Sequence, residues 1–249
     1  MQGFCRNWKV RPFSGRSILR KKAVAAVALL SLLAPAATAL GKDTKDESER
    51  AQKAAEVLGD IMKTPDKGIP RDLLDQAHAI AVIPHVVKGA FGFGGRWGKG
   101  LIAKRTGKGG WGTPSFIDIG GASVGFQIGV SATDLILIFT DETTLQSLLA
   151  NRVKIGADAS AVAGPVGRTA EAGVTGNLKS AIYSYSRSKG LFAGISLDGA
   201  ALTIDDDSNH AVYGANVSSR DIFNGTVAAN AVVKPFVDEL RRVAPKVVK

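Results

Sequence analysis

Apolar residues at the start of the chain recur at helical spacing, and further on they take up the period of strands. Ala51, Ala54, Ala55, Leu58, Ile61 and Met62 share one helical face, and Thr44-Lys45-Asp46-Glu47 before them has the spacing of a capping box. The pattern predicts a helix over residues 46–63. After a turn at residues 64–68, Pro70 opens a second, short helix carrying Leu73, Leu74 and Ala77. Residues 79–83 then read as a strand stopped by Pro84. From 86 to 204 the signals are mainly β. Residues 135–139 form the continuous apolar run of a buried strand, and residues 153–163 place small side chains at alternate positions. Residues 181–187, 191–197 and 200–204 read as successive antiparallel strands, with turns at Lys189-Gly190 and Asp198-Gly199. Leu145, Leu148 and Leu149 predict one short helix among them, and Pro235 opens a closing helix with Phe236, Val237 and Leu240. Helices, many short strands and a final helix make an α+β fold.

Glycine sharpens that picture. It supplies 27 of the 210 residues after Ala39, roughly twice the usual ~7%. In strands it marks bulges, tight bends and close backbone approach. The expected product is a strongly curved or barrel-like, mainly antiparallel sheet in a single domain over residues 40–249, with the N-terminal helices packed on it.

The formal charge of +10 changes meaning once it is located. Residues 1–39 hold seven Lys and Arg and no acid, which leaves 25 basic against 22 acidic residues beyond Ala39, a net of +3. Within that leader, Arg20-Lys21-Lys22 precedes an apolar run over residues 23–34 and then Ala37-Thr38-Ala39, the order of a secretory signal peptide. Twelve apolar residues at about 1.5 Å each reach roughly 18 Å, short of the ~30 Å hydrocarbon core. Residues 1–39 are therefore expected to be cleaved and the rest exported, to the periplasm or beyond. Cys5 lies upstream of the apolar run, so the mature chain is expected to carry no thiol, disulfide or thiolate metal site.

Motifs with chemical meaning mostly dissolve on inspection. Gly121-Ala122-Ser123-Val124-Gly125 has the form of a nucleophile elbow, but strand-like Phe126-Gln127-Ile128-Gly129-Val130 follows where a helix is needed. Gly107-Lys108-Gly109-Gly110-Trp111-Gly112 has the dinucleotide-loop spacing without the helix and the acid that binding requires. Asp205, Asp207 and Asn209 begin like a calcium loop, yet His210 stands at the turn glycine and Asn216 at the bidentate Glu, so an acidic turn or a helix cap is expected. His78 and His85 have no nearby acid or thiol to complete a zinc site. No enzyme activity, cofactor or metal is expected.

One asymmetry remains. Residues 76–117 contain no Asp or Glu, yet hold Lys88, Arg96, Lys99, Lys104, Arg105 and Lys108, interleaved with Phe91, Phe93, Trp97 and Trp111. Cations and amphipathic rings together suit an anionic membrane interface. Arg187 and Lys189 extend the set, because residues 172–197 are also free of acids. Nucleic acid is the competing use of such a patch, and export together with the small mature charge argue against it.

Several motifs together carry a resemblance. Trp111-Gly112-Thr113-Pro114, the glycine run ending Gln127-Ile128-Gly129, Thr133-Asp134-Leu135, Gly164-Pro165-Val166-Gly167-Arg168, and the stretch from Tyr183-Ser184-Tyr185-Ser186-Arg187 through Phe192-Ala193-Gly194 resemble the SYLF domain. The resemblance spans about residues 51–240. It implies a lipid-binding module without catalytic residues, found in yeast actin-patch proteins, in a vertebrate SH3-containing relative and in exported bacterial proteins. Some members also bind actin, a partner an exported protein would not normally meet. The family's proposed membrane contact includes a basic N-terminal helix. Here residues 48–62 are nearly neutral, which moves the expected contact to the basic Gly/Trp segment.

The sequence thus predicts peripheral binding of anionic, phosphoinositide-like phospholipid headgroups through Lys88, Arg96, Trp97, Lys99, Lys104, Arg105, Lys108, Trp111, Arg187 and Lys189. Arg168 is expected either to join them or to brace the turn after Pro165. The alternative is a structural protein of the cell envelope that binds another protein.

Overall fold

The computed structural model describes residues 44–63, 68–91, 93–124, 129–150, 152–165, 180–188, 191–195, 197 and 199–245. The secretory-signal segment, Arg168 and Lys189 lie outside them. The first element is α1 (Lys45–Lys63), within a residue of the helix its apolar spacing predicts. A short α2 (Arg71–Asp75) follows Pro70, and the chain then enters the sheet with β1 (Ala79–Phe91), β2 (Phe93–Lys104), β3 (Ser115–Val124) and β4 (Gly129–Phe139). α3 (Glu142–Ala150) leads to β5 (Arg152–Lys154) and β6 (Ala161–Ala163), then to β7 (Ile182–Ser188), β8 (Leu191–Gly194) and β9 (Ala200–Ile204). Three helices complete the described chain: α4 (Asp206–Tyr213), α5 (Ser219–Phe223) and α6 (Lys234–Val243), the last with Pro235 in its first turn.

The strands form one curled, half-barrel mixed sheet. Its order is β5-β9-β3-β2-β1-β4-β7-β6, with β8 also paired to β7. All pairings are antiparallel except β6 with β7. Two expectations need correction. β1 runs through Pro84 rather than stopping there, because a register shift between Ile83 and Val86 takes the proline out of the ladder. His85 sits in that bulge at φ 58°, and its N–H donates to the Asp134 carboxylate at 3.0 Å. The second correction concerns β9, which leaves the β7–β8 hairpin and pairs with β3 and β5.

Period-2 alternation gives the sheet two cores. On one face, Ile80, Val82, Leu101, Ala103, Phe116, Ile136, Ile138, Tyr183 and Tyr185 pack under α1, α2 and α6. On the other, Ile83, Ile102, Ile117, Ile119, Leu135, Leu137 and Phe139 pack with Leu145 and Leu148 of α3. The first is the α1 face of the sheet and the second its α3 face.

Glycine acts where chains touch. A Cβ at Gly100 would run into the carbonyl of Val82 and the backbone of Ile83, so β2 can approach the β1 bulge only without a side chain there. A Cβ at Gly164 would fall inside the ring of Tyr185, whose hydroxyl donates to the Pro165 carbonyl at 3.1 Å. The Gly-Pro turn and the Tyr-Ser-Tyr strand are thus two halves of one packing contact.

Gly100→Ala should cost about 3 kcal/mol through overpacking against backbone. Gly120→Ala, with open space around its would-be Cβ, should stay within about 0.5 kcal/mol of the parent. Denaturant titrations of the two variants check the contrast.

Candidate functional site

A polar row crosses the α1 face and divides it. Lys99 of β2 stands opposite Asp118 of β3, Asp118 opposite Thr203 of β9, and Thr203 opposite Arg152 of β5. On the far side of β1, Asp134 of β4 stands opposite Arg187 of β7, and the β1 bulge lies between the two groups. Beyond this row on one side is the apolar surface under the helices. On the other side the described residues are small or exposed, apart from the half-buried Val87.

Helix α1 is fastened along this row by two charge clusters. At its N-terminal end Arg50 and Lys99 both reach the Asp205 carboxylate, at 3.2 and 2.8 Å, and Arg50 lies 5.4 Å over the Phe116 ring. Asp205 also caps α4 by accepting the Ser208 N–H at 3.1 Å, while the Ser208 hydroxyl bonds Asp205 and Glu47. Of the acidic turn or helix cap expected at the Asp205 segment, the structure shows the cap. At the other end, Arg187 bridges Asp60 of α1 and Asp134 of β4.

Burial by itself would raise the Asp205 pKa, but hydrogen bonds from Lys99 and Ser208 outweigh it and hold the carboxyl at about 2. Asp118 moves the other way. Desolvation and the neighbouring Asp205 charge raise it, and its Oδ1, 3.7 Å from the Lys99 ammonium, has no hydrogen-bond partner among the described residues. Burial pulls on Lys99 and Arg187 as well, yet their carboxylate partners leave both above their ordinary values.

Ten residues were expected to share one surface; Lys189 lies outside the described residues, and the strand geometry separates the other nine. Trp111 is 5% exposed, and its indole N–H donates to the Ala244 carbonyl at 2.7 Å. Arg105 stacks 4.3 Å over that ring and donates to the carbonyls of Leu74, Ala77, Gly109 and Pro245. Burial lowers its pKa, though not to a range where the guanidinium loses its charge. The expected surface roles of Trp111 and Arg105 are therefore corrected: together they tie α2, the 106–110 loop and the end of α6. Lys104 is bound to Glu142 at 2.6 Å, and Lys99 and Arg187 belong to the clusters above. Lys108 is exposed in the loop, with Gly109 at φ 78°. Seven residues separate Lys104 from Trp97, roughly 23 Å along the strand.

What remains at the near end is Lys88, Arg96 and Trp97. Arg96 and Trp97 are adjacent and so point to opposite faces. Trp97, 58% exposed, lies on the α1 face beyond the polar row. There a cross-strand row runs Ala132, Val87, Trp97, Gly120, Ala201, Lys154, followed by Val130, Gly89, Gly95, Ala122. Val130 is 81% exposed. Beside Trp97, a trough of about 730 Å³ has a floor of Gly120, Ala122 and Ala201 and a wall carrying Arg152 and Lys154. The sequence reading missed these two cations. Their signal was the polar-apolar-polar order Arg152-Val153-Lys154, which sends both to one face of an edge strand. Lys88 and Arg96 stand directly opposite each other on the α3 face.

Ser123 lies within β3, as the strand reading of its motif expected, and Gly107 to Gly112 form a loop. Among the described residues no three His, Cys, Asp or Glu side chains are grouped to hold a metal, and no helix is long and apolar enough to cross a membrane.

Fold and surface define an α+β domain in which, among the described residues, no helix covers one end of the sheet. By its relatives the chain belongs to the Ysc84, or SYLF, family. The family model described as "Las17-binding protein actin regulator" matches residues 120–243. Protein YSC84 of Saccharomyces cerevisiae is 38% identical over 201 residues, covering 77% of this chain and 42% of the yeast protein. LAS seventeen-binding protein 3 of the same yeast is 35% identical, with the same coverage. SH3 domain-containing YSC84-like protein 1 of Rattus norvegicus is 31% identical over 202 residues, covering 79% of this chain and 59% of the rat protein. The chain thus spans less than half the length of the yeast relatives.

Removing the side chains that make these ties should cost stability. Asp205→Asn should lose roughly 3 kcal/mol near neutral pH, the usual cost of orphaning partners in a buried ion pair. Because the Asp205 value is depressed from 3.8 to about 2, its contribution is full above about pH 4 and fades as pH falls toward 2. Asp118, being raised, works in the opposite sense. Stability measured against pH should therefore fall less steeply on the acid side in Asp205→Asn than in the parent. Arg105→Ala should lose about 2 kcal/mol by thermal or chemical melting.

Proposed function

We propose that this domain is a non-enzymatic module that binds anionic phospholipid surfaces peripherally, at the envelope outside the cytoplasm to which its leader would deliver it. The observation that carries the reading is the end of the sheet that no described helix covers. An exposed indole and an exposed valine project there from small-residue strands, with Arg152 and Lys154 on the same face and Lys88 and Arg96 on the other. Such an end meets a membrane edge-on, so that cations on both faces reach headgroups while Trp97 sits at headgroup depth. At about 1 kcal/mol per well-placed cation, four supply roughly 4 kcal/mol, an attachment that weakens with salt. The two indoles do not act together in this account, since Trp111 serves the interior.

A protein partner is the second reading, favoured by relatives whose names and family description refer to Las17 binding and actin regulation. The same trough would then seat a protein surface, and lipid charge would not matter.

Flotation with vesicles across salt separates the two. The lipid reading expects recovery on anionic but not neutral vesicles, lost at high salt. It also expects Arg152→Gln combined with Lys154→Gln to weaken binding by about 2 kcal/mol, some thirtyfold. Equal recovery on both vesicle types, with a discrete partner in crosslinking, would favour the protein reading.

A further inference from the structure

The strands run out together at the end that no described helix covers. The β1–β2 ladder reaches Phe91 opposite Phe93, β3 reaches Val124 opposite Phe93, β4 begins at Gly129 opposite Ala90, and β7 meets β8 at Ser188 opposite Leu191. Four large apolar side chains are exposed among the described residues: Trp97, Val130, Val162 and Leu191. All but Val162 of β6 belong to this end. Single exposed apolar residues are ordinary on a protein surface, but a gathering of them marks a contact.

Register sets their order. Gly89 stands opposite both Val130 and Gly95, and Val87 opposite both Ala132 and Trp97. Val130 is therefore about 7 Å nearer the end than Trp97, on the same face. Lys154 is level with Trp97 across Gly120 and Ala201, and Arg152 stands farther back. Leu191 pairs with Ser188, just past the Arg187–Asp134 pair, which brings it close to the Trp97 level. Tyr185 points to the α1 face, so Ser186, Ser188 and the Leu191 opposite Ser188 point to the α3 face.

Apolar groups thus lie on both faces of one thin end. A flat protein surface covers one face of a sheet, whereas a fluid lipid layer closes around whatever enters it. The levels also follow those of a membrane interface: Val130 foremost, then an indole and an ammonium together, then a guanidinium. Strands β1 to β4 carry no Asp or Glu between the Trp97 level and this end. Asp158, in the turn after β5, accepts the Lys154 N–H at 2.8 Å and offsets part of that cation's charge. Depth has a limit. Beyond the Asp134–Arg187 pair β4 has no described partner on its outer side, and unpaired backbone is costly in hydrocarbon. The end can enter the boundary between headgroups and acyl chains but not the bilayer core.

We propose that this end enters the membrane tip first, as a wedge, with Val130 reaching the first acyl carbons and with Trp97 and Leu191 at headgroup depth on opposite faces. The proposal rests on the membrane reading and deepens it: the partner is an anionic bilayer whose headgroups part to admit the end of a sheet.

Depth measurements on the full chain test it. In a Cys5→Ser background, Val130→Cys, Ala132→Cys, Leu191→Cys and Asn216→Cys each carry a nitroxide, and the protein is bound to vesicles of phosphatidylcholine and phosphatidylserine. Collisions of each label with oxygen and with a water-soluble nickel chelate are then compared. The labels at 130 and 191 should both lose access to the chelate on binding. The label at 130 should lie deeper than that at 132, which is level with Trp97, and the label at 216, in the exposed segment after α4, should not change. Val130→Ser and Leu191→Ser should each weaken vesicle binding about tenfold, the loss of one apolar side chain from the interface. Val162→Ser should change it little, and melting curves confirm that the variants are folded.

If the protein is vesicle-bound while the label at 130 or at 191 stays as accessible as that at 216, the wedge is overturned and the membrane reading survives. Equal weakening by Val162→Ser overturns it too. If unmodified protein binds no anionic vesicle, the membrane reading fails and the wedge falls with it.

Discussion

The ion cluster of Lys99, Asp205 and Arg50 decides where the covered part of the sheet ends. It ties the N-terminal part of α1 to two strands and to the first turn of α4 at a single buried carboxylate. With Arg187, Asp60 and Asp134 doing the same at the other end of the helix, α1 is pinned along a line of charge. Charges of this kind are costly to bury and worth little beyond their mutual satisfaction. Their value here is placement: they stop the apolar packing at a fixed row, beyond which no described helix lies on the strands.

That division gives the two ends of β2 different work. Leu101 and Ala103 belong to the core under α1, and past them Lys104 and Arg105 bind Glu142 and the carbonyls around Trp111. At the other end Arg96 and Trp97 leave the strand on opposite faces, one beside Lys88 and the other over glycine. A strand that is structural at one end and exposed at the other can present binding groups without risking the fold. The glycines help in two ways, letting β2 lie close to the β1 bulge at Gly100 and keeping the floor beside Trp97 flat at Gly120.

Much of this was legible in the residues. The helical spacing of Ala51 to Met62, the apolar run at 135–139 and Pro235 each located an element, and the glycine content announced a curled sheet. The cap at Asp205 could be read from the failure of the calcium pattern at His210. Three things were hidden. Pro84 read as a stop because a bulge that rescues a strand depends on the neighbouring strand's Asp134. The pairing of β9 with β3 and β5 is a long-range choice that local turns do not encode. The basic and aromatic stretch read as one patch because charge was counted along the sequence. Period-2 alternation puts Arg96 and Trp97 on opposite faces, and the strand's rise carries Lys104, Arg105 and Trp111 to its far end. Arg152 and Lys154, distant in sequence, come to lie across from Trp97 through the β3–β9–β5 pairing. The Tyr-Ser-Tyr and Gly-Pro motifs that carry the family resemblance turn out to pack against each other, which accounts for them by folding rather than by binding.

The central claim is that the end of the sheet around Trp97 enters the membrane interface while Trp111 stays inside the protein. The most direct measurement is quenching of tryptophan fluorescence by brominated lipids in anionic vesicles, in a Trp8→Phe background that leaves these two indoles. Quenching that is kept in Trp111→Phe and lost in Trp97→Phe is the predicted result. Quenching that persists without Trp97, or no quenching while the protein is vesicle-bound, would contradict the account.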